Sequence, residues 1–208
     1  MIDLNKLKTV TEVTDSRFSM VDDGGVEIET GELIYGFVRR LKPTNCLSTG
    51  VYTGVSDLFI GQALKDNELG HLTAIEYEQI HIDRARKLWE EMGVSQQITS
   101  VKTDSLQFKP MRNYQFMFLD TELHLRFQEL VNFYPNLDEG GYIFVHDMPR
   151  SLCQGNVNPD HPEIPNWPVG ELPQEFIDLV KSGKLKSFYF AGARGLLGFY
   201  KPHPDDFI

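Results

Sequence analysis

The chain has 208 residues, a formal net charge of −10 and the hydrophobic and charged fractions of an ordinary globular protein. That length builds one domain with a real core, and an acidic balance without a basic run argues against a nucleic-acid partner, because affinity for a phosphate backbone comes from clustered Lys and Arg. No apolar run nears the ~20 residues of a bilayer span, the N-terminus lacks the apolar stretch of a secretory signal, and Cys46 and Cys153 match no metal or redox spacing, so the expectation is a cytoplasmic protein with no membrane partner.

Residues 1–27 are polar and weakly periodic and read as an N-terminal arm. From Glu29, Leu33, Ile34, Phe37, Val38 and Leu41 share one helical face, and Pro43 follows the stop. The pattern then alternates. Strands are expected at 45–51, 71–77, 97–104, 114–121 and 141–148. Helices are expected at 55–66, at 79–94 with Ile82, Ala85, Leu88, Trp89 and Met92 aligned, and at 123–134 with Leu123, Phe127, Leu130, Val131 and Tyr134 aligned. Residues 149–172 carry five prolines and read as a long loop, the kind that usually serves function. A helix from Gln174 and two apolar runs, "KLKSFYFAGA" and "GLLGFYKP", close the chain. Strands alternating with helices mean βαβ units. The predicted fold is α/β, Rossmann-like and doubly wound: a mostly parallel seven-stranded sheet with an antiparallel C-terminal hairpin. Residues 28–208 are expected to form a single domain, with 149–172 as its substrate-side loop.

In such sheets ligands bind beyond the C-terminal ends of the strands. "STGVYTGVS" lies at the first such end, where glycines let the backbone approach a ligand and a helix N-terminus faces an anion. The next strand ends at Glu76, about 25 residues on, where an acid commonly takes ribose hydroxyls. The third ends in Asp104 and Ser105, the fourth in Asp120, the fifth in His146 and Asp147. Any one of these is explained as a cap or turn residue; five ends in a row are not.

The order of these motifs resembles the class I S-adenosylmethionine (SAM)-dependent methyltransferases, and most the caffeoyl-CoA and catechol type of small-molecule O-methyltransferases. The residues that carry the resemblance are "LSTGVYTGVS", the acid at Glu76, "YQFMFLD", "LDEGGYIFVHDM" and "GLLGFYK". It implies that Gly50, Tyr52, Thr53, Gly54 and Ser56 cradle the methionine end of SAM, that Glu76 binds the ribose, and that Asp104 and Ser105 flank the adenine. Asp120 would sit at the sulfonium and the mouth of the acceptor site. Cation-dependent relatives hold Mg²⁺ or Ca²⁺ at the positions of Asp120 and Asp147. The candidates for general base are His146 and His124, since imidazole works near neutral pH.

Three positions depart from that pattern. Ser48 stands where relatives have an acid, Leu123 where they have Lys or His, and Met148 where an Asn ligand would be. A thioether is a poor ligand for a hard cation. The reading is methyl transfer to a hydroxyl of a small molecule. The alternatives are a binding protein that kept the fold and lost the chemistry, and a nucleotide-dependent oxidoreductase, for which the turn has the wrong glycine spacing. Relatives are often dimers, and the first helix with the arm is the expected interface.

Overall fold

The computed structural model describes residues 2–11, 17–22, 24–148, 172–192 and 194–207. The proline-rich segment, with Cys153, therefore lies outside the described residues apart from Leu172. The chain divides into two compact units, Met1–Phe108 and Lys109–Ile208.

In the first unit, β1 (Val10–Thr11) and β2 (Ser19–Met20) form a small antiparallel pair, and α1 (Ile28–Leu41) follows. Ile34 and Val38 of α1 are buried, while Leu33, Phe37 and Leu41 are half-buried. Lys42 ends the helix in the left-handed region (φ 51°), just before Pro43. The α/β alternation then appears as expected: β3 (Asn45–Thr49), α2 (Val55–Asn67), β4 (His71–Glu76), α3 (Gln79–Glu91) and β5 (Ile98–Lys102). β4 pairs in parallel with β3 on one side and β5 on the other. α2 is buried along nearly its whole length from Val55 to Leu64, which removes the polar face an exposed helix would need. It lies close against α1: a Cβ on Gly31 would come within 2.2 Å of the Phe59 ring. Tyr35 donates a hydrogen bond to Asp66 (2.7 Å) and Arg39 to Asn67 (2.6 Å) across the same seam.

The second unit holds β6 (Tyr114–Leu119), α4 (Arg126–Phe133), β7 (Leu137–His146), α5 (Gln174–Lys181), β8 (Lys186–Phe190) and β9 (Leu196–Tyr200). β6 and β7 are parallel, and β9 runs antiparallel to both β7 and β8. Phe116, Phe118, Phe133, Phe144, Phe176 and Phe199 are fully buried and dominate this core. The seven strands are ordered β5-β4-β3-β6-β7-β9-β8, the expected mostly parallel sheet with an antiparallel C-terminal pair.

Several boundaries differ from the sequence pattern by one to four residues, and two of them have a visible cause. β7 begins at Leu137, not Gly141: Gly140 and Gly141 exchange backbone hydrogen bonds with Lys201, and the register against β6 shifts there. The Gly-Gly pair is an irregularity inside a strand, a role glycine also fills. α4 begins at Arg126, not Leu123. Val131, taken from periodicity as a core position, is 36% exposed, and the buried residues of α4 include Arg126 and Glu129. Residues 121–125 are held in turns instead, for a reason that lies in the site.

Candidate functional site

The glycine turn is built by conformation first. Gly50, Tyr52 and Gly54 all have positive φ (74°, 46° and 79°), which is ordinary for glycine and costly for an aromatic residue. Tyr52 is held there from several sides. Its backbone N–H donates to Glu76 Oε2 (3.1 Å), His81 meets its ring edge-on at 5.0 Å, and the Arg84 guanidinium lies 5.8 Å from the ring centroid. Arg84 is in turn paired with Asp22 at 2.7 Å. Gly54 has a second constraint, since α3 crosses it closely: Trp89 Nε1 donates to its carbonyl (2.9 Å), and a Cβ would sit 2.6 Å from that of Ala85.

Glu76 is where the pattern put it, at the end of β4 and 8% exposed. It also does something the sequence did not reveal. Its two oxygens accept from the N–H groups of Tyr52 and Glu78 (2.8 Å), tying β4 to the turn after β3. A carboxylate has about four acceptor positions, so capacity remains for a ligand hydroxyl. Asp104 accepts from the N–H of Leu106 (2.9 Å), an Asx-type turn, and Ser105 is buried beside it. Thr53 and Ser56 are buried hydroxyls at the start of α2. Ser48, which replaced the expected acid, donates to Asp57 Oδ1 at 2.6 Å. The acid is thus supplied from the first turn of α2, where the helix dipole favours it. This donor and acceptor set, with the left-handed glycine turn at a helix N-terminus, fits the amino-acid and ribose ends of SAM.

The second unit gathers the other polar strand ends around one side chain. Arg126 is 3% exposed. Its Nη2 lies 2.9 Å from Asp120 Oδ1 and 3.1 Å from Asp147 Oδ2. Its Nε and Nη2 also donate to the Thr121 carbonyl (2.9 and 2.6 Å), and Nη1 donates to the carbonyl of His146. Arg194 approaches Asp147 from the other direction, Nε to Oδ1 at 3.3 Å. His146 is 1% exposed, with Nδ1 3.0 Å from Asp120 Oδ1 and 3.4 Å from Asp147 Oδ1. Asp147 itself sits in the left-handed region at φ 53°. Two of the three base and metal positions named from sequence, His146 and Asp147, therefore meet Asp120. His124 does not: it is exposed in the turn before α4.

Arg126 was invisible to periodicity, which assigned 123–134 to one helix. Two signals were available. A cation in the first turn opposes the helix dipole and needs an acid nearby. Helical side chains also lean toward the N-terminus, so an arginine there reaches back to the end of the preceding strand. That grip on Thr121, with Leu125 N–H bonded to the Glu122 carbonyl (2.9 Å), holds 121–125 out of the helix.

The same grip decides the fit of a divalent ion at Asp120 and Asp147. Two carboxylates face two guanidinium groups, so their charge is already balanced. An ion ~4 Å from a guanidinium would add a repulsion on the order of 8 kcal/mol at an effective dielectric of about 20. Met148, which stands where cation-dependent relatives have an Asn ligand, carries a thioether and no oxygen. These residues do not fit Mg²⁺ or Ca²⁺ between the two carboxylates.

Residues 47–148 match a family described as a methyltransferase domain. The chain has the methyltransferase fold. Among solved structures, the O-methyltransferase TomG from Streptomyces achromogenes, involved in tomaymycin synthesis and solved with SAM, superimposes with a TM-score of 0.66 at 18% identity, covering 87% of this chain and 83% of that one. The SAH-bound methyltransferase PaMTH1 from Podospora anserina gives 0.68 at 15% identity, covering 87% and 81%. In sequence, the chain is similar to tapetum-specific methyltransferase 1 of Arabidopsis thaliana, at 24% identity over 122 residues, 56% of this chain and 52% of that protein. It is also similar to a caffeoyl-CoA O-methyltransferase of Stellaria longipes, at 23% over 175 residues, 79% of this chain and 67% of that protein. The match thus spans about half the length of the first relative and two thirds of the second. The expected resemblance to class I SAM-dependent O-methyltransferases stands. Among the described residues, no helix is long and apolar enough to cross a membrane.

Proposed function

We propose that the protein transfers a methyl group from SAM to a hydroxyl oxygen of a small molecule. The observation that carries this reading is the pairing of His146 with Asp120 at the ends of adjacent parallel strands. When bound, SAM supplies a methyl carbon already activated on a sulfonium; the new C–O bond forms as the C–S bond breaks, and the acceptor's proton must leave. His146 takes that proton. Its Nδ1–H donates to Asp120 in the reactive tautomer, which leaves Nε2 as the basic nitrogen. Asp120 is a positioning residue in this step, and Arg126 keeps its carboxylate aimed. The turn from Gly50 to Ser56, with Glu76, Asp104 and Ser105, holds SAM for alignment, and well-oriented reactants save ~7–11 kcal/mol. His124 has no role in the scheme, and neither does a divalent cation between Asp120 and Asp147.

In the same reading residues 28–208 act as one catalytic domain, with the 1–27 arm and the 149–172 loop shaping the acceptor side. A cytoplasmic homodimer without nucleic-acid or membrane partners belongs to it as well. The test is calorimetric titration with SAM and SAH on wild type and Glu76→Ala, followed by turnover on a panel of hydroxylated small molecules. Binding that Glu76→Ala loses, with turnover that His146→Ala loses, supports the reading; no binding of either nucleoside ends it. A binding protein without chemistry is the second reading, favoured by Leu123 and Met148 at positions where relatives place a base and a ligand. Binding without turnover on the whole panel would select it.

A further inference from the structure

We infer that Arg126 occupies the place of a divalent cation in this chain: its guanidinium is the fixed positive charge that holds Asp120 and Asp147 together, and methyl transfer needs no divalent ion between these two carboxylates. The inference rests on the methyl-transfer reading only for its catalytic consequence. Its structural part stands on geometry. One nitrogen bridges the two carboxylates at 2.9 and 3.1 Å, as a shared ion would. The same Nη2 and Nε donate to the Thr121 carbonyl and Nη1 to the His146 carbonyl, so the group is anchored to the ends of both β6 and β7. Burial strengthens the arrangement, because the guanidinium, 3% exposed, is shielded from water. Arg194 Nε and His146 Nδ1 lie 3.3 and 3.4 Å from the second oxygen of Asp147, which adds a second cation on that side. Arginine suits this task better than lysine, since the fork lets Nε and Nη1 hold the two carbonyls while Nη2 bridges the carboxylates.

A divalent ion and Arg126 are then mutually exclusive at these carboxylates, which gives the test. The full chain, stripped with EDTA, is titrated with MgCl₂, CaCl₂ and MnCl₂ by calorimetry and by thermal unfolding, beside Arg126→Met and Arg126→Lys. Wild type is expected to give no binding heat and no shift of its midpoint. Arg126→Met, with the carboxylates uncovered, is expected to unfold at lower temperature and to recover on adding cation, because an ion that binds only the folded pair stabilises it. Arg126→Lys keeps the charge and is expected to stay insensitive to cation. Turnover on any accepted substrate is expected to differ by less than about twofold between excess EDTA and excess Mg²⁺. Saturable cation binding to wild type that Asp120→Asn or Asp147→Asn abolishes overturns the inference. An Arg126→Met protein that folds but gains no cation response overturns it too. If Arg126→Met fails to fold, the wild-type titration and the Arg126→Lys comparison decide. The cation titrations need no SAM, so failure of the methyl-transfer reading leaves them intact.

Discussion

The strand ends of the two units satisfy their acids in different ways. At β4 and β5 the hydrogen-bond partners are mainly backbone N–H groups close by: Glu76 takes Tyr52 and Glu78, with the His81 imidazole 3.6 Å away, and Asp104 takes Leu106. At β6 and β7 the partners are side chains: the guanidinium groups of Arg126 from α4 and Arg194 from the residues before β9, and the imidazole of His146 at the end of β7. The first arrangement makes a rigid cradle whose parts are replaceable one at a time. The second is a charge cluster in which removing one member strands the others, since a buried charge without its partner costs far more than the pair gained.

That contrast sets the order of expected effects. Arg126→Met, which leaves Asp120 and Asp147 facing one another, is expected to lose about 3–5 kcal/mol of folding stability by urea denaturation. A loss near zero would make the cluster no more coupled than the cradle. Glu76→Ala removes the acceptor of two N–H groups and is expected to cost about 1–3 kcal/mol, together with SAM affinity; Glu76→Gln should recover part of the stability. Gly54→Ala forces a Cβ into Ala85 at positive φ and is expected to cost on the order of 1–3 kcal/mol, read in the same denaturation. Asp104→Ala gives up one Asx-turn hydrogen bond and should cost only about 1 kcal/mol.

The smallest effect is in the second unit, at Tyr200. Burial, then its hydrogen bond to Asp206, pushes this phenol up to about 12. The neutral form is the one the fold favours, so its contribution is present below the ordinary tyrosine value of about 10 and is lost as pH rises through the folded value. Tyr35 and Tyr134 are also pushed up, so absorbance titration should show several late tyrosines, and Tyr200→Phe should remove the latest step. A Tyr200 that titrates with the exposed tyrosines would show that side-chain ties in this unit are not all tight.

Much of the first unit was legible because its signals are local. The turn needs glycine at positive φ, and Glu76 follows one strand later at the spacing of a βαβ unit. His81 and Arg84, which pin Tyr52, were not legible: both lie on a helix face that reads as solvated. The replacement of an acid at 48 by one at 57 was also hidden, because Ser48 and Asp57 meet only when β3 and α2 pack.

The sequence by itself determined the α/β order, the strand ends that carry acids and the resemblance that follows from them, since periodicity and turn chemistry are written in neighbouring residues. Only the tertiary structure decided what stands between Asp120 and Asp147. A side chain about 6 Å long can reach any of several partners from the start of a helix, and the packing of β6, α4 and β7 is what selects these two. The same carboxylates that the sequence offered to a metal were given, in the fold, to an arginine.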